Sequence, residues 1–396
     1  MNILESKFLE NEQDEIDATV EDSLDFSQLA NPVNWQTPSD YYRSMPASTR
    51  RSVDKVVKSD KKIREELRNV FLPELLKQGT LKRWGTADQN YIEALQQKKL
   101  YAGHVYATDG TVARYETLSL VGAQIAVSRL NYQGSTGQIA FNIMYMGTEV
   151  PRRMTAADIA NAIRSRGKKL KARMPNVFLY TLMLYKERQL LMDTPQNAFK
   201  LMHGPIFPYE MLVGSGRQQT MKVCLDLLED IIDDGNYAAI VSNDTHRELL
   251  ALGMALNAGE YLVVNTGVEL LDTFLDGANY TNTPIEQYGG KSQIELFNSF
   301  KVRYGSKVIQ GVLKAHRMSK PYIFYCNANK LEEAVHMLLA DAANTGARGF
   351  PLLIDMADQY CTGAFKASEY TNHMNAEFVR ASGGSGMYQS ERTTRD

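Results

Sequence analysis

The chain has 396 residues, 44% of them hydrophobic and 23% charged, and a formal net charge of −2. That length suits one large domain with an appendage or two modest ones, and the composition is that of an ordinary globular protein. The near-neutral balance excludes a surface that is basic overall, so any nucleic-acid contact must be local. The scattered Cys224, Cys326 and Cys361 form no CxxC pair, which argues against structural zinc and suits a reducing cytoplasm.

The opening MNILESKFLENEQDEID is acidic and amphipathic, without the basic and apolar regions of a signal peptide. No apolar run approaches the roughly 20 residues that cross a bilayer, so the expectation is a soluble, cytoplasmic protein. Residues 1–50 read as a loosely ordered arm, acidic and then rich in Ser, Pro, Asn and Thr. Its aromatic stretch from Phe26 to Tyr42 docks either on the chain's own body or on a partner. Residues 51–100 read as a helical extension. From Val53 to Leu72, the apolar Val56, Val57, Ile63, Leu67, Val70 and Phe71 recur at helical spacing. Pro73 is expected to end or kink that helix, and Thr86 to cap a second one over Ala87 to Leu100.

The body, residues 101–382, opens with strands. HVYATDGTVARYE is a β run, a Gly turn and more extended chain; SLVGAQIAVSRLNY and GQIAFNIMYMG flank QGSTG, a hairpin signal. Helices are predicted from Thr155 to about Met192. Short apolar runs then alternate with helices: FKLMHGPIF, the helix Arg217 to Ile232, YAAIVSN, the helix around Thr245 to Leu256, and EYLVVNTG. PYIFYCN is the last predicted strand, before helices over Asn329 to Asn344 and after Pro351. Strands first and alternation afterwards is the layout of a mixed α/β sheet flanked by helices. No fixed-period repeat is present, and the Gly/Ser-rich tail, 383–396, reads as disordered.

Asp109 follows a β run and precedes Gly110 and Thr111. A carboxylate on a rigid element suits Mg²⁺ or Mn²⁺, hard cations that take oxygen ligands, and the glycine admits close approach of backbone or phosphate. Asp-Gly is also a common turn dipeptide, so the residue alone leaves both readings open.

The stretch YATDGTVARYETLSLVGAQIAVS resembles the opening of the NurA nuclease domain, in which a strand ends in an Asp-Gly-Ser type motif whose aspartate binds the catalytic metal. That family then has a glutamate on a helix and a short strand ending in Asp-Gly-Pro. At similar separation this sequence has Glu187 in LYKERQLLMD and His203-Gly204-Pro205 in KLMHGPIFPYE. Near its C-terminus the family has a Pro-containing helix with an Ala-His pair; FPLLIDMADQYCTGAF puts Ala357-Asp358 there. His203 thus stands where the family has aspartate, and Asp358 where it has histidine. Asn243 and Asp244 stand where a lysine often lies. The resemblance covers roughly residues 100 to 380. It implies an RNase H-like mixed sheet with an N-terminal helical extension, and a Mn²⁺- or Mg²⁺-dependent DNA nuclease. Asp109, Glu187 and His203 would hold metal, with His203 and Asp358 completing the shell or handling a proton. It also implies a homodimer working with a HerA-like hexameric ATPase in DNA repair or in defence against foreign DNA.

Arg164, Arg166, Lys168, Lys169, Lys171 and Arg173, with Arg152 and Arg153 upstream, form a basic run with no acidic residue from Ile159 through Tyr185. Such a cluster binds DNA phosphates by releasing counterions, or is a solvated helix face. Tyr180 and Tyr185 either stack bases or pack inside. Gly290-Lys291-Ser292 has Ile285 where a phosphate-binding loop needs glycine, so the chain has no recognisable ATPase of its own. Ser-His-Asp and Cys-His catalysis find no serine elbow and no electropositive cysteine. His104, His316, His336 and His373 show no ligand spacing. Two main readings stay open: an active nuclease, or a decayed relative that binds DNA and an ATPase as a structural subunit. An Argonaute-type PIWI module is weaker, lacking a guide-binding region.

Overall fold

The structure, a computed structural model, describes residues 38–116, 120–146, 169–242, 246–276 and 291–383, and divides into two units, Met1–Glu65 and Glu66–Asp396. The described part of the first unit is helix α1 (Pro38–Glu66), which runs through Pro46 and carries an i,i+4 ion pair between Asp60 and Arg64 at 2.7 Å.

In the second unit the helical ladder widens over Leu67–Phe71 and resumes as α2 (Leu72–Lys77), with Pro73 in the first turn. Pro73 therefore does not end the helix: it follows the widened turn directly and sits in the first turn of α2, where an N–H is dispensable. Thr86 lies in strand β1 (Arg83–Thr86), and Asp88 caps α3 (Gln89–Leu95) by accepting from the Asn90 N–H at 2.9 Å. The predicted Thr86 cap is thus corrected to Asp88.

Strands β2 (Val105–Glu116), β3 (Leu120–Asn131) and β4 (Gly134–Met146) form an antiparallel meander. Then come α4 (Lys169–Met192), β5 (Phe199–His203), α5 (Tyr209–Val213), α6 (Gln218–Asp234) and β6 (Tyr237–Val241). They are followed by α7 (Arg247–Met254), β7 (Glu260–Thr266), α8 (Gly267–Asp276), α9 (Lys291–Tyr304) and β8 (Val308–Lys314). The chain closes with β9 (Tyr322–Asn327), α10 (Leu331–Ala342), α11 (Leu352–Ala364) and α12 (Ala367–Ser382).

The nine strands of the described residues join one sheet in the order β1-β7-β8-β9-β6-β5-β2-β3-β4. β2, β5 and β6 run parallel as neighbours and every other pairing is antiparallel. A three-strand meander whose first strand continues on its other side into two strands parallel to it is the RNase H-like arrangement, here extended by four more strands. Alternate residues sort the core. Val105, Ala107, Phe199, Leu201, Ala238 and Ile240 pack with α10 and α11. Met202, Tyr237 and Ala239 face the other way, into a core with Leu228, Ile231, Phe297 and Phe300 from α6 and α9. That alternation fixes which side chains of β2, β5 and β6 share a face.

Candidate active site

Ligands of parallel sheets gather beyond the carboxyl ends of the strands. β2 pairs with β5 only over Val105–Thr108, so Asp109 lies just past the point where β5's partnership ends. Asp109 and Gly110 are not a turn. They pair with Ser128 and Val127 in a ladder that continues to Glu116, so the predicted break at Gly110 is replaced by continuous strand.

Counting along β2 from Val105 and Ala107 puts Asp109 on the face covered by α10 and α11. Its Oδ1 accepts from the Gly110 N–H at 2.9 Å, and its Oδ2 lies 3.2 Å from Nδ1 of His203, the last residue of β5. The other imidazole nitrogen, Nε2, is 2.8 Å from the hydroxyl of Ser242, the residue after β6. A Phe350 edge contact, centroids 5.8 Å apart, borders the imidazole. Burial alone would lower the His203 pKa, but the bond to Asp109 and the charges of Asp109, Glu187 and Asp358 hold it above the ordinary value.

Glu187 approaches from the opposite face, off α4. A Cβ on Gly110 would sit 2.5 Å from Glu187 Oε1 and 2.8 Å from Met183 Cγ, so glycine is what lets the carboxylate close on the strand beside Asp109. The close approach expected at Gly110 is therefore made by a side chain of the protein itself. Glu187 is buried, and its Oε1 has no hydrogen-bond partner. Burial, and then the Asp109 charge, push this carboxyl far above the usual range, against the pull of Arg188, His203 and the Gly110 N–H. The neighbouring Arg188 donates to the Pro205 carbonyl at 2.8 Å, tying α4 to the turn after His203.

Asp358 is exposed on α11, near enough for its pKa to be raised by burial and by Asp109, and lowered by His203 and Arg348. One turn earlier, Asp355 pairs with Arg348 at 2.8 Å. Asp109, Glu187, His203 and Asp358 are thus brought into one electrostatic neighbourhood. Among the described residues, no three His, Cys, Asp or Glu side chains form a ready metal cage. Both His203 nitrogens are engaged, so the predicted ligand role would require it to release Asp109 or Ser242.

Glu187 has Arg188 at 3.7 Å on its other oxygen, but its Oε1, buried beside a second carboxylate, is left with room for a further positive charge. The oxygen donors of Glu187 and Asp109 fit a hard divalent cation on that ground. Sequence reasoning missed Ser242, Arg348 and Asp355. A face count along YAAIV puts Ser242 on the side of Ile240, but only the strand order relates that side to Asp109 and His203. Arg152, Arg153, Arg164, Arg166 and Lys168 lie outside the described residues; Lys169, Lys171 and Arg173 lie on α4, with side chains outside the description. Tyr180 is exposed, whereas Tyr185 packs on the α6 core. All three cysteines are buried and free. His336 is buried and accepts from the Asp88 N–H at 2.8 Å, a packing role. No helix among the described residues is long and apolar enough to cross a membrane.

The sheet order and the acidic groups beside β2 define an RNase H-like α/β protein with a carboxylate-rich centre. No protein-family model and no curated protein matches the chain. Among solved structures it is similar to the NurA nuclease of Sulfolobus solfataricus, at 11% identity and a TM-score of 0.42, over 88% of this chain and 98% of that one. Another NurA structure aligns at 9% identity and a TM-score of 0.47, over 84% and 98%. A NurA structure bound to dAMP and manganese aligns at 9% and 0.41, over 80% and 92%.

Proposed function

We propose that this chain is a metal-dependent phosphodiester hydrolase acting on DNA. The observation that carries the proposal is Glu187, a buried carboxylate with an oxygen lacking any hydrogen-bond partner, set against Asp109 across Gly110. Asp109 and Glu187 would hold Mn²⁺ or Mg²⁺, which would polarise the phosphoryl oxygens and neutralise charge developing on them. Asp109 also orients His203, whose Nε2 faces a hydroxyl and is placed to take the proton of the attacking group. Asp358, its pKa raised by burial and by Asp109, is the rim group suited to return a proton to the leaving oxygen. Arg152, Arg153, Arg164, Arg166, Lys168, Lys169, Lys171 and Arg173 would hold the phosphate backbone, supported by the lack of acidic neighbours.

The sequence resemblance adds a finer proposal. The protein acts as a homodimer with a HerA-like hexameric ATPase on DNA ends or single strands, in repair or in defence against foreign DNA. The failed phosphate-loop pattern at Gly290 supports an ATPase supplied by a partner. The test is cleavage of linear single- and double-stranded DNA with Mn²⁺ by the purified protein and by Asp109→Ala. Cleavage by the wild type alone supports the proposal; equal cleavage by both would mean that it comes from elsewhere.

A second reading is a decayed site that binds DNA without cutting. It is favoured by the doubly engaged His203 and by the missing third ligand among the described residues. Salt-sensitive DNA binding without cleavage, with and without the ATPase, would select it.

A further inference from the structure

Three adjacent parallel strands bring three residues to one face of the sheet: Asp109 on β2 just past its pairing with β5, His203 as the last residue of β5, and Ser242 just after β6. They form a continuous chain: carboxylate Oδ2 to Nδ1 at 3.2 Å, and Nε2 to hydroxyl Oγ at 2.8 Å. The order carboxylate, imidazole, hydroxyl is that of a nucleophilic serine and its base. We propose that Ser242 is a nucleophile of this site, activated by His203 and Asp109, and that it attacks the phosphorus of a phosphodiester. The proposal rests on the site being a phosphodiester-cleaving centre and names the group whose proton His203 takes.

Three observations support it. In the tautomer that directs Nδ1–H at Asp109, Nε2 presents a lone pair to the Ser242 hydroxyl, which then donates and keeps its own lone pairs for attack. The Ser242 carbonyl accepts from the Lys320 ammonium, which anchors the residue at the strand end and sets a cation beside it. The imidazole is bordered by Phe350, whose ring lies at 69° to it. The serine elbow that the sequence lacks is replaced by a strand end that aims the same hydroxyl at the same base.

The chemistry balances. Ser242 Oγ bonds to phosphorus and its proton passes to His203 Nε2; the bond from phosphorus to the leaving oxygen breaks, and that oxygen takes a proton from Asp358. Water then bonds to phosphorus on the side the leaving oxygen vacated and gives a proton back to Asp358, while Oγ leaves and recovers its proton from Nε2. One phosphodiester and one water are consumed, and nothing is oxidised or reduced.

The test uses diisopropyl fluorophosphate, an electrophilic phosphoryl probe, on the full chain with EDTA present and no DNA, followed by peptide mass mapping. The expected result is a phosphoryl adduct on Ser242, absent in Ser242→Ala and about 100-fold or more slower in His203→Ala, the contribution of a general base. His203→Gln, which keeps polar bulk without basicity, must be slowed alike and guards against a folding defect. An unlabelled Ser242 in the wild type, or equal labelling rates with and without His203, overturns the proposal. DNA cleavage without labelling removes Ser242 as nucleophile and leaves the metal-dependent reading standing. Labelling without cleavage keeps Ser242 and removes the nuclease.

Discussion

Adding one methyl group at Gly110 tests the geometry on which the site depends. In Gly110→Ala the new Cβ would fall 2.5 Å from Glu187 Oε1, 2.8 Å from Met183 Cγ and 3.2 Å from the Ala126 carbonyl oxygen. The first two distances lie well inside van der Waals contact, so the Glu187 carboxylate and the Met183 chain must move. Glu187 has no free space, since it is buried between β2 and α4, and Met183 is half-buried against the same strand. Overpacking of this kind costs about 1–3 kcal/mol, a melting shift on the order of 2–4 °C for a unit of this size. Displacing Glu187 by an ångström would lower metal-dependent cleavage by about 100-fold. Gly137→Ala is the control, because its Cβ would meet Leu190 at an ordinary 3.4 Å. Melting curves and initial cleavage rates on linear DNA measure both effects. A Gly110→Ala protein that melts and cuts like the wild type would refute the claim that Glu187 closes on Asp109 through the missing side chain.

Two further outcomes follow from the same structure. Asp341 is fully buried, accepts from the Leu353 N–H at 2.9 Å and from the Tyr132 hydroxyl, and burial raises its carboxyl from 3.8 to about 6. Its contribution to stability is therefore complete below about pH 4 and lost as pH rises to about 6, a change of about 3 kcal/mol; Asp341→Asn should flatten melting temperature against pH across that window. Asp358 is exposed, so Asp358→Ala should change stability by less than about 0.5 kcal/mol. As a proton donor its loss should slow cleavage by about 100-fold or more, read as a fall in kcat with little change in KM.

The strand-rich opening was legible because it rests on local pattern, whereas Glu187, His203 and Asp358 were singled out by the family resemblance and not by anything local. The runs around Asp109 and Ala140 are long and β-rich, and His203-Gly204-Pro205 ends a short apolar run as a strand should. What escaped depends on distant partners. Strand β8 is buried along its whole length, so VIQGVLK shows no alternation; its polar Gln310 is held by Tyr325 at 2.9 Å and Asn265 at 2.7 Å, contacts invisible locally. Strand β1 is four residues whose pairing is wholly with β7, and Gly85 is needed there because Tyr261 fills the Cβ position. Thr86 looked like a cap because a hydroxyl before a helical run is a good one, yet β1 claims it and Asp88 takes the role. Ser242 became visible only when β5 and β6 were seen to be parallel neighbours, which sets it against His203.

The central claim, that Asp109 and Glu187 together hold a divalent cation, is tested most directly by Mn²⁺ binding to the metal-free chain, followed by electron paramagnetic resonance without DNA. The account predicts binding by the wild type, weakened by about tenfold or more in both Asp109→Asn and Glu187→Gln. Equal binding by all three proteins, or none by the wild type, would contradict it.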